Sequence, residues 1–146
     1  MAQIDMISVK TEIKSAPSKI YNFNKYNMSQ YVNLNPQIVK KVEVIEGEEG
    51  KIGNVKLIEY VIGKPMSLKM KVVELDDEEK SITFDVLEGD LLQMYSSFKV
   101  RVSASEGCAT WSIEFEKLNE AVPNPDIYTK VADGLTKLLD AYLLTH

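Results

Sequence analysis

Reactive side chains are scarce in this sequence. It holds one cysteine, one histidine and one tryptophan in 146 residues. Cys108 alone cannot close an internal disulfide, which suits a reducing compartment and makes the cytoplasm the expected location. His146 is the sole imidazole and sits at a terminus expected to fray. No set of soft or imidazole ligands can therefore assemble, and no metal or other cofactor is expected. The same scarcity argues against hydrolase-like chemistry, because a serine or cysteine nucleophile needs an adjacent base, most often histidine. Nothing near Cys108 would lower its pKa, so it reads as an unreactive thiol. No apolar run approaches the 18 or so residues of a membrane-spanning helix, and no basic segment followed by an apolar one predicts a secretory signal. Net charge is −5 without a lysine–arginine cluster, which excludes nucleic acid as the main partner. The acidic run Asp76–Glu79 lacks the glycine and ligand spacing of a calcium loop and reads as a solvated hairpin tip.

What is present is an ordinary globular composition, 45% apolar and 27% charged, in a length that suits one domain over residues 1–146. The stretch Asn124–His146 predicts the dominant helix. Pro125 fits its first turn with Asn124 as cap. Ile127, Val131, Leu135, Leu138 and Tyr142 recur at helical spacing, Leu139 and Leu143 widen the stripe, and Lys130, Asp133, Lys137 and Asp140 fall on the far side. A helix of about 20 residues spans roughly 30 Å and needs a large partner for its apolar face.

Upstream the pattern is mostly of period two. Ile7, Val9, Thr11 and Ile13 alternate with polar residues. Pro17 and Ser18 then open a short helix with Ile20, Tyr21 and Phe23 as its apolar side, and a second short turn runs around Met28–Leu34. Six further strands are expected: Val39–Ile45, Val55–Ile62, Met66–Val72, Ile82–Val86, Met94–Ala104 and Cys108–Leu118. Short connections predict antiparallel hairpins. A sheet this wide must curl to be covered by one helix, and a curled sheet gripping a helix leaves a space between them.

Several local motifs in this order carry a resemblance. They are Val44-Ile-Glu-Gly47, Gly53-Asn-Val-Lys56 with Glu59-Tyr60, Val86-Leu-Glu-Gly89, Tyr95-Ser-Ser-Phe98, Trp111-Ser-Ile-Glu-Phe-Glu-Lys117 and Pro123-Asn-Pro125. Over nearly its whole length the chain resembles the plant Bet v 1-like superfamily, specifically the major latex protein branch. The resemblance implies an α+β helix-grip fold: a curved, seven-stranded antiparallel sheet around a long C-terminal helix, with two short helices between the first and second strands. It also implies an internal cavity for apolar or amphipathic plant metabolites, in relatives that include carriers, defence-related proteins and cofactor-free enzymes such as alkaloid-forming ones and iridoid cyclases. One departure stands out. The loop Gly47-Glu-Glu-Gly50-Lys-Ile-Gly53 carries glutamates that would repel phosphate, so it reads as a hairpin loop and no nucleotide site.

Within that frame the candidate residues follow. Glu59, Asp85, Glu114 and Glu116 alternate with apolar neighbours and are expected to face solvent. Tyr60 shares a face with Ile58 and Ile62, expected to point inward; Tyr21, Tyr31, Tyr128 and Tyr142 come from the helices. Each of these phenols fits either a core tyrosine bonded to backbone or a ligand-facing one. Expected cavity walls are Ile20, Phe23, Tyr31 and Leu34 below. Ile58, Tyr60, Met70, Ile82 and Phe84 are expected from the sheet, with Met94, Phe98 and Trp111 beside them. Val131, Leu135 and Leu138 are expected as the roof. Methionine at such positions adapts to varied ligands. Two functions fit: a cofactor-independent cyclase or isomerase of a small hydrophobic metabolite, with Tyr60 as its catalytic polar group, or a non-catalytic carrier. The chain is expected to act as a monomer or weak homodimer, with no membrane insertion.

Overall fold

The computed structural model describes residues 4–146. Strand β1 (Ile4–Glu12) leads into helix α1 (Pro17–Tyr26), a 3-10 turn (Met28–Gln30) and the one-turn helix α2 (Tyr31–Leu34). Strands β2 (Val39–Glu46), β3 (Val55–Ile62), β4 (Lys64–Asp76), β5 (Ser81–Gly89), β6 (Tyr95–Ser105) and β7 (Cys108–Lys117) follow, and helix α3 (Asp126–Thr145) closes the chain. All seven strands form one sheet in the order β1-β7-β6-β5-β4-β3-β2, and every pairing is antiparallel. This is the expected helix-grip architecture. The β5–β6 connection also contains a 3-10 turn, Asp90–Gln93, where the sequence pattern showed only a glycine turn.

Bulges bend the sheet and reset its faces. Between β4 and β5 the register shifts at Val72/Glu74, so Val73 is squeezed outward and Leu75, not Glu74, pairs with inward Ile82. A second shift, between Tyr95 and Ser97 in β6, makes Ser96 the extra residue. Simple alternation back from Phe98 would put Met94 inside. With the bulge, Tyr95 takes the inward place at 2% exposure and donates its hydroxyl hydrogen to Pro123 O over 2.6 Å. The placement of Met94 on the cavity wall is therefore corrected: it packs half-buried against the core's margin.

At the β5 end, Gly89 holds φ +135°, and a Cβ there would lie 2.5 Å from the Ser67 carbonyl oxygen of β4. Only glycine allows this approach. It lets the next residue, Asp90, turn back and accept the Ser67 N–H at 2.8 Å. Gly89→Ala is expected to cost about 2 kcal/mol through strain and displacement of β4, read as a lower chemical-denaturation midpoint with an unchanged slope.

Helix α3 begins one residue later than the sequence suggests. Asn124 makes no side-chain cap; Tyr128 N–H bonds to Pro125 O at 3.0 Å instead. The helix is also rotated relative to its apolar stripe. Ile127, Leu138 and Tyr142 are 48%, 42% and 36% exposed, whereas Leu139 is fully buried, with Thr136 and Asp140 beside it. Polar pins set this rotation. Trp111 Nε1 donates to Thr136 Oγ1 at 2.8 Å. Thr11 donates to Asp133 at 2.5 Å. Asp140 accepts from the Lys14 N–H, the Ser15 N–H and the Ser15 hydroxyl. Leu138 therefore does not roof the cavity, and Asp140 does not face solvent; both expectations are corrected.

Every one of those pins lies on β1, β7 or the β1–α1 turn. Among the described residues the α3 backbone runs close to β1, β7, α1 and α2, whereas β3 and β4 are reached by a side chain, that of Tyr128. The helix is thus anchored along one side of the curved sheet and overhangs the rest.

Candidate functional site

The overhang encloses a cavity of about 170 Å³. A dry cavity of about 150 Å³ holds benzene, and drug-sized ligands need roughly 300 Å³ or more. The space therefore suits one ring with a short chain, about ten heavy atoms. Tyr31, Ile58, Tyr60, Met70, Phe84, Phe98 and Trp111 line it from below and from the sheet, and Val131 and Leu135 from α3. Strand alternation had put Ile58, Tyr60, Met70 and Phe84 on the inward face, and the structure puts each of them on the wall.

The remaining candidates lie elsewhere. Ile20 and Phe23 are buried on α1, which packs against β5, β6 and β7, and they lie behind the lining residues and not on the wall. Phe23 stacks edge-on with Tyr31 and Tyr142, at ring distances of 4.9 and 6.5 Å. Ile82, 1% exposed, fills the core next to Leu75 and Val102. Leu34 ends α2 half-buried; the chain turns at Asn35 and brings Ile38 and Val39 onto the wall in its place. Met28, in the 3-10 turn, Leu91, in the turn after Gly89, and Tyr128 also line the cavity and were not singled out as walls. Their elements are too short, or too close to a helix start, for periodicity to assign a face. The strand carboxylates lie outside it: Glu59 and Glu114 are exposed, and Asp85 and Glu116 half-buried.

The wall is almost wholly apolar, so its few polar atoms decide what chemistry it offers. The Tyr31 hydroxyl donates to Asn24 Oδ1 at 2.8 Å, and Asn24 Nδ2 in turn donates to Ile20 O. That phenol is spent on holding α1 to α2. The Trp111 indole hydrogen is spent on Thr136. Tyr60 and Tyr128 differ. Their hydroxyls meet at 2.8 Å, and the Tyr128 hydroxyl also lies 3.9 Å from Met66 Sδ. One hydrogen closes the pair; the other has only a thioether, a weak acceptor. The pair therefore retains one donor and spare lone pairs for a guest.

Burial pushes the Tyr60 phenol above its ordinary pKa, against the bond to Tyr128 and with the nearby Asp90 charge adding to the rise. Burial, the Tyr60 bond and the charges around it push Tyr128 far up. Both stay neutral at physiological pH. They can polarise a carbonyl or enol oxygen by donating a hydrogen bond, and they cannot serve as phenolate bases. Below the cavity, Tyr21 is pushed up to about 12 by burial and by its bond to Asp77, which ties α1 to the β4–β5 hairpin.

One further buried polar group is a sheet neighbour of the lining residue Met70. Lys56 shares the inward face of β3 with Ile58 and Tyr60 and is 1% exposed. Its Nζ donates to Asn54 Oδ1 at 2.9 Å. Burial pushes the ammonium down, with the Glu49 charge acting in the opposite sense. Among the described residues no three of histidine, cysteine, aspartate and glutamate gather as metal ligands, and no helix is long and apolar enough to cross a membrane.

Comparison with known proteins gives a consistent picture. A family model described as the pathogenesis-related protein Bet v 1 family matches residues 2–146. MLP-like protein 43 of Arabidopsis thaliana is 30% identical over 97% of this chain and 94% of its own length. The crystal structure of ginseng major latex-like protein 151 from Panax ginseng superposes with a TM-score of 0.92 at 32% identity, covering 95% of this chain and 97% of the other. Norcoclaurine synthase from Thalictrum flavum, solved with dopamine and hydroxybenzaldehyde, superposes with a TM-score of 0.82 over 99% of this chain and 89% of its own; at 18% identity it shares the fold alone.

Proposed function

The chain belongs to the pathogenesis-related protein Bet v 1 family, in its major latex protein branch, and from that premise we propose that it binds a small hydrophobic metabolite in the cavity and promotes its cofactor-independent isomerisation or cyclisation. The observation that carries this reading is the single available hydrogen-bond device in an otherwise apolar wall, the Tyr60–Tyr128 pair. An apolar wall folds a flexible molecule into one compact shape, and holding the reacting atoms in place removes much of the entropic barrier. A neutral phenol donor, fixed beforehand in a water-poor site, stabilises the charge that develops on a carbonyl oxygen as the ring closes. Ring closure of an iridoid-type intermediate or of an alkaloid precursor has these requirements. A reducing cytoplasm suits the chain's lone thiol.

A carrier is the second reading. It is favoured by the elevated phenols, which leave the wall without a base. The two readings part in a product analysis. An unstable apolar carbonyl intermediate is generated in situ with and without protein, and products are separated by chiral gas chromatography. A catalyst shifts the product ratio, and Phe84→Ala, which removes wall, returns it toward the uncatalysed one. Identical ratios with and without protein, for compounds shown by thermal shift to bind, would leave only the carrier.

A further inference from the structure

A buried lysine is costly unless its charge is met. Lys56 is 1% exposed, and among the described residues its side chain has one hydrogen-bond partner, the neutral Asn54 amide oxygen. An ammonium carries three hydrogens, so the remaining two have no acceptor. Asn54 is itself 1% exposed and held by the Lys51 carbonyl at 2.6 Å, so it cannot turn to offer more. Glu49, on the loop between β2 and β3, is near enough to act on the charge but makes no ion pair with it.

The lysine adjoins the cavity through its neighbours. It is paired across the sheet with Met70 on one side and Val44 on the other, and Ile58 follows it on the same face. Met70 and Ile58 both line the cavity. Directly opposed side chains in an antiparallel pair start about 5 Å apart, and successive ones on one face roughly 6–7 Å apart. A lysine on a four-carbon stem covers either distance by rotation about its own bonds.

We propose that Lys56 is the polar end of the cavity and takes the carboxylate of a small amphipathic acid whose apolar body fills the wall between Met70 and the Tyr60–Tyr128 pair. This rests on the reading of the cavity as a ligand site and narrows its ligand to a monoanion. A carboxylate supplies the acceptors the ammonium lacks. One lysine, with Glu49 close by, balances a single negative charge and opposes a phosphate dianion. The two ends then divide the work: Lys56 fixes the acid group, and the phenol pair meets any oxygen at the other end.

Octanoate and 1-octanol, matched in length and within the cavity's capacity, test this by isothermal titration at pH 7. The wild type is expected to bind octanoate about tenfold or more tightly than octanol, the scale of a charge-assisted hydrogen bond. Lys56→Met removes that preference and leaves octanol affinity nearly unchanged; Lys56→Arg keeps it. Octyl phosphate is expected to bind more weakly than octanoate. Equal affinity for acid and alcohol in the wild type overturns the proposal while leaving the cavity reading intact, and so does equal loss of both in Lys56→Met. Failure of both compounds to bind removes the cavity reading and this inference together. Thermal unfolding of each variant shows that the comparison is made on folded protein.

Discussion

Asp140→Ala is expected to lower stability by about 3 kcal/mol, because it leaves buried donors without an acceptor. The carboxylate accepts from the Ser15 hydroxyl at 2.5 Å and from the Lys14 and Ser15 N–H groups at 2.9–3.1 Å. It sits near the C-terminal end of α3 and fastens that end to the turn between β1 and α1. At about 2–4 °C per kcal/mol for a chain of this size, the melting temperature should fall by roughly 6–12 °C. Asp140→Asn keeps one acceptor and adds a donor facing other donors, so it should fall between. The effect also has a pH signature. Burial alone would raise this carboxyl, but the Ser15 hydroxyl and the two backbone N–H groups outweigh it and hold the pKa below the ordinary aspartate value. A carboxyl with a depressed folded pKa contributes stability that is fully present above its unfolded pKa, near 3.9, and lost as pH falls through the folded value. The wild-type and Asp140→Ala stability curves should therefore stay apart at neutral pH and converge below about pH 4. A constant gap down to acid pH would show that the carboxylate charge contributes nothing. A variant as stable as wild type at pH 7 would show that α3 is not anchored here.

Tyr60→Phe should reduce turnover by about a hundredfold if the phenol pair stabilises a developing oxyanion, the scale seen when one pre-positioned donor is removed. The substitution keeps the ring and its edge-on contact with Tyr128, at 6.0 Å between centroids, and removes only the hydroxyl. It also strips Tyr128 of its partner, so a stability loss of about 1 kcal/mol accompanies it. Tyr128→Phe should be similar in size, and the double variant little worse than either, because the two hydroxyls act as one device. Turnover and affinity separate the alternatives. A drop in kcat at nearly constant KM marks an interaction made in the transition state; a rise in KM at constant kcat marks uniform binding. The second result would take Tyr60 out of catalysis. A carrier, having no turnover, would show only an affinity change of about 1 kcal/mol.

The norcoclaurine synthase likeness shows that the fold is shared across 99% of this chain, and at 18% identity it transfers no residue role. Whatever this cavity does must come from its own wall. At about 170 Å³ the cavity favours a small guest over a large polycyclic one.

By itself the sequence determined the element order, the antiparallel sheet and most inward positions on regular strands. These depend on local periodicity, and a strand such as β3 carries its face assignment in every second residue. Ile58, Tyr60 and Ile62 read directly as inward for that reason, and all three line the cavity. Only the tertiary structure decided the rest. Ser96 cost Met94 its place because a bulge is a relation between two strands, and neither strand alone records it. Leu138 lost its place because α3 is oriented by Thr136, Asp133 and Asp140, polar residues that a hydrophobic stripe counts as surface. Tyr60 was a candidate polar group from its inward place on β3, but the donor it offers is set by Tyr128, 68 positions away, since a hydroxyl's availability depends on its partner across the fold. Lys56 falls on the same alternate positions as Ile58 and Tyr60, but that a lysine is fully buried there follows from how the sheet closes over it. Periodicity is a short-range property of the chain. Hydrogen-bond partners, bulges and buried charge are set by which distant segments meet, and there the identity of one residue constrains another only after folding has joined them.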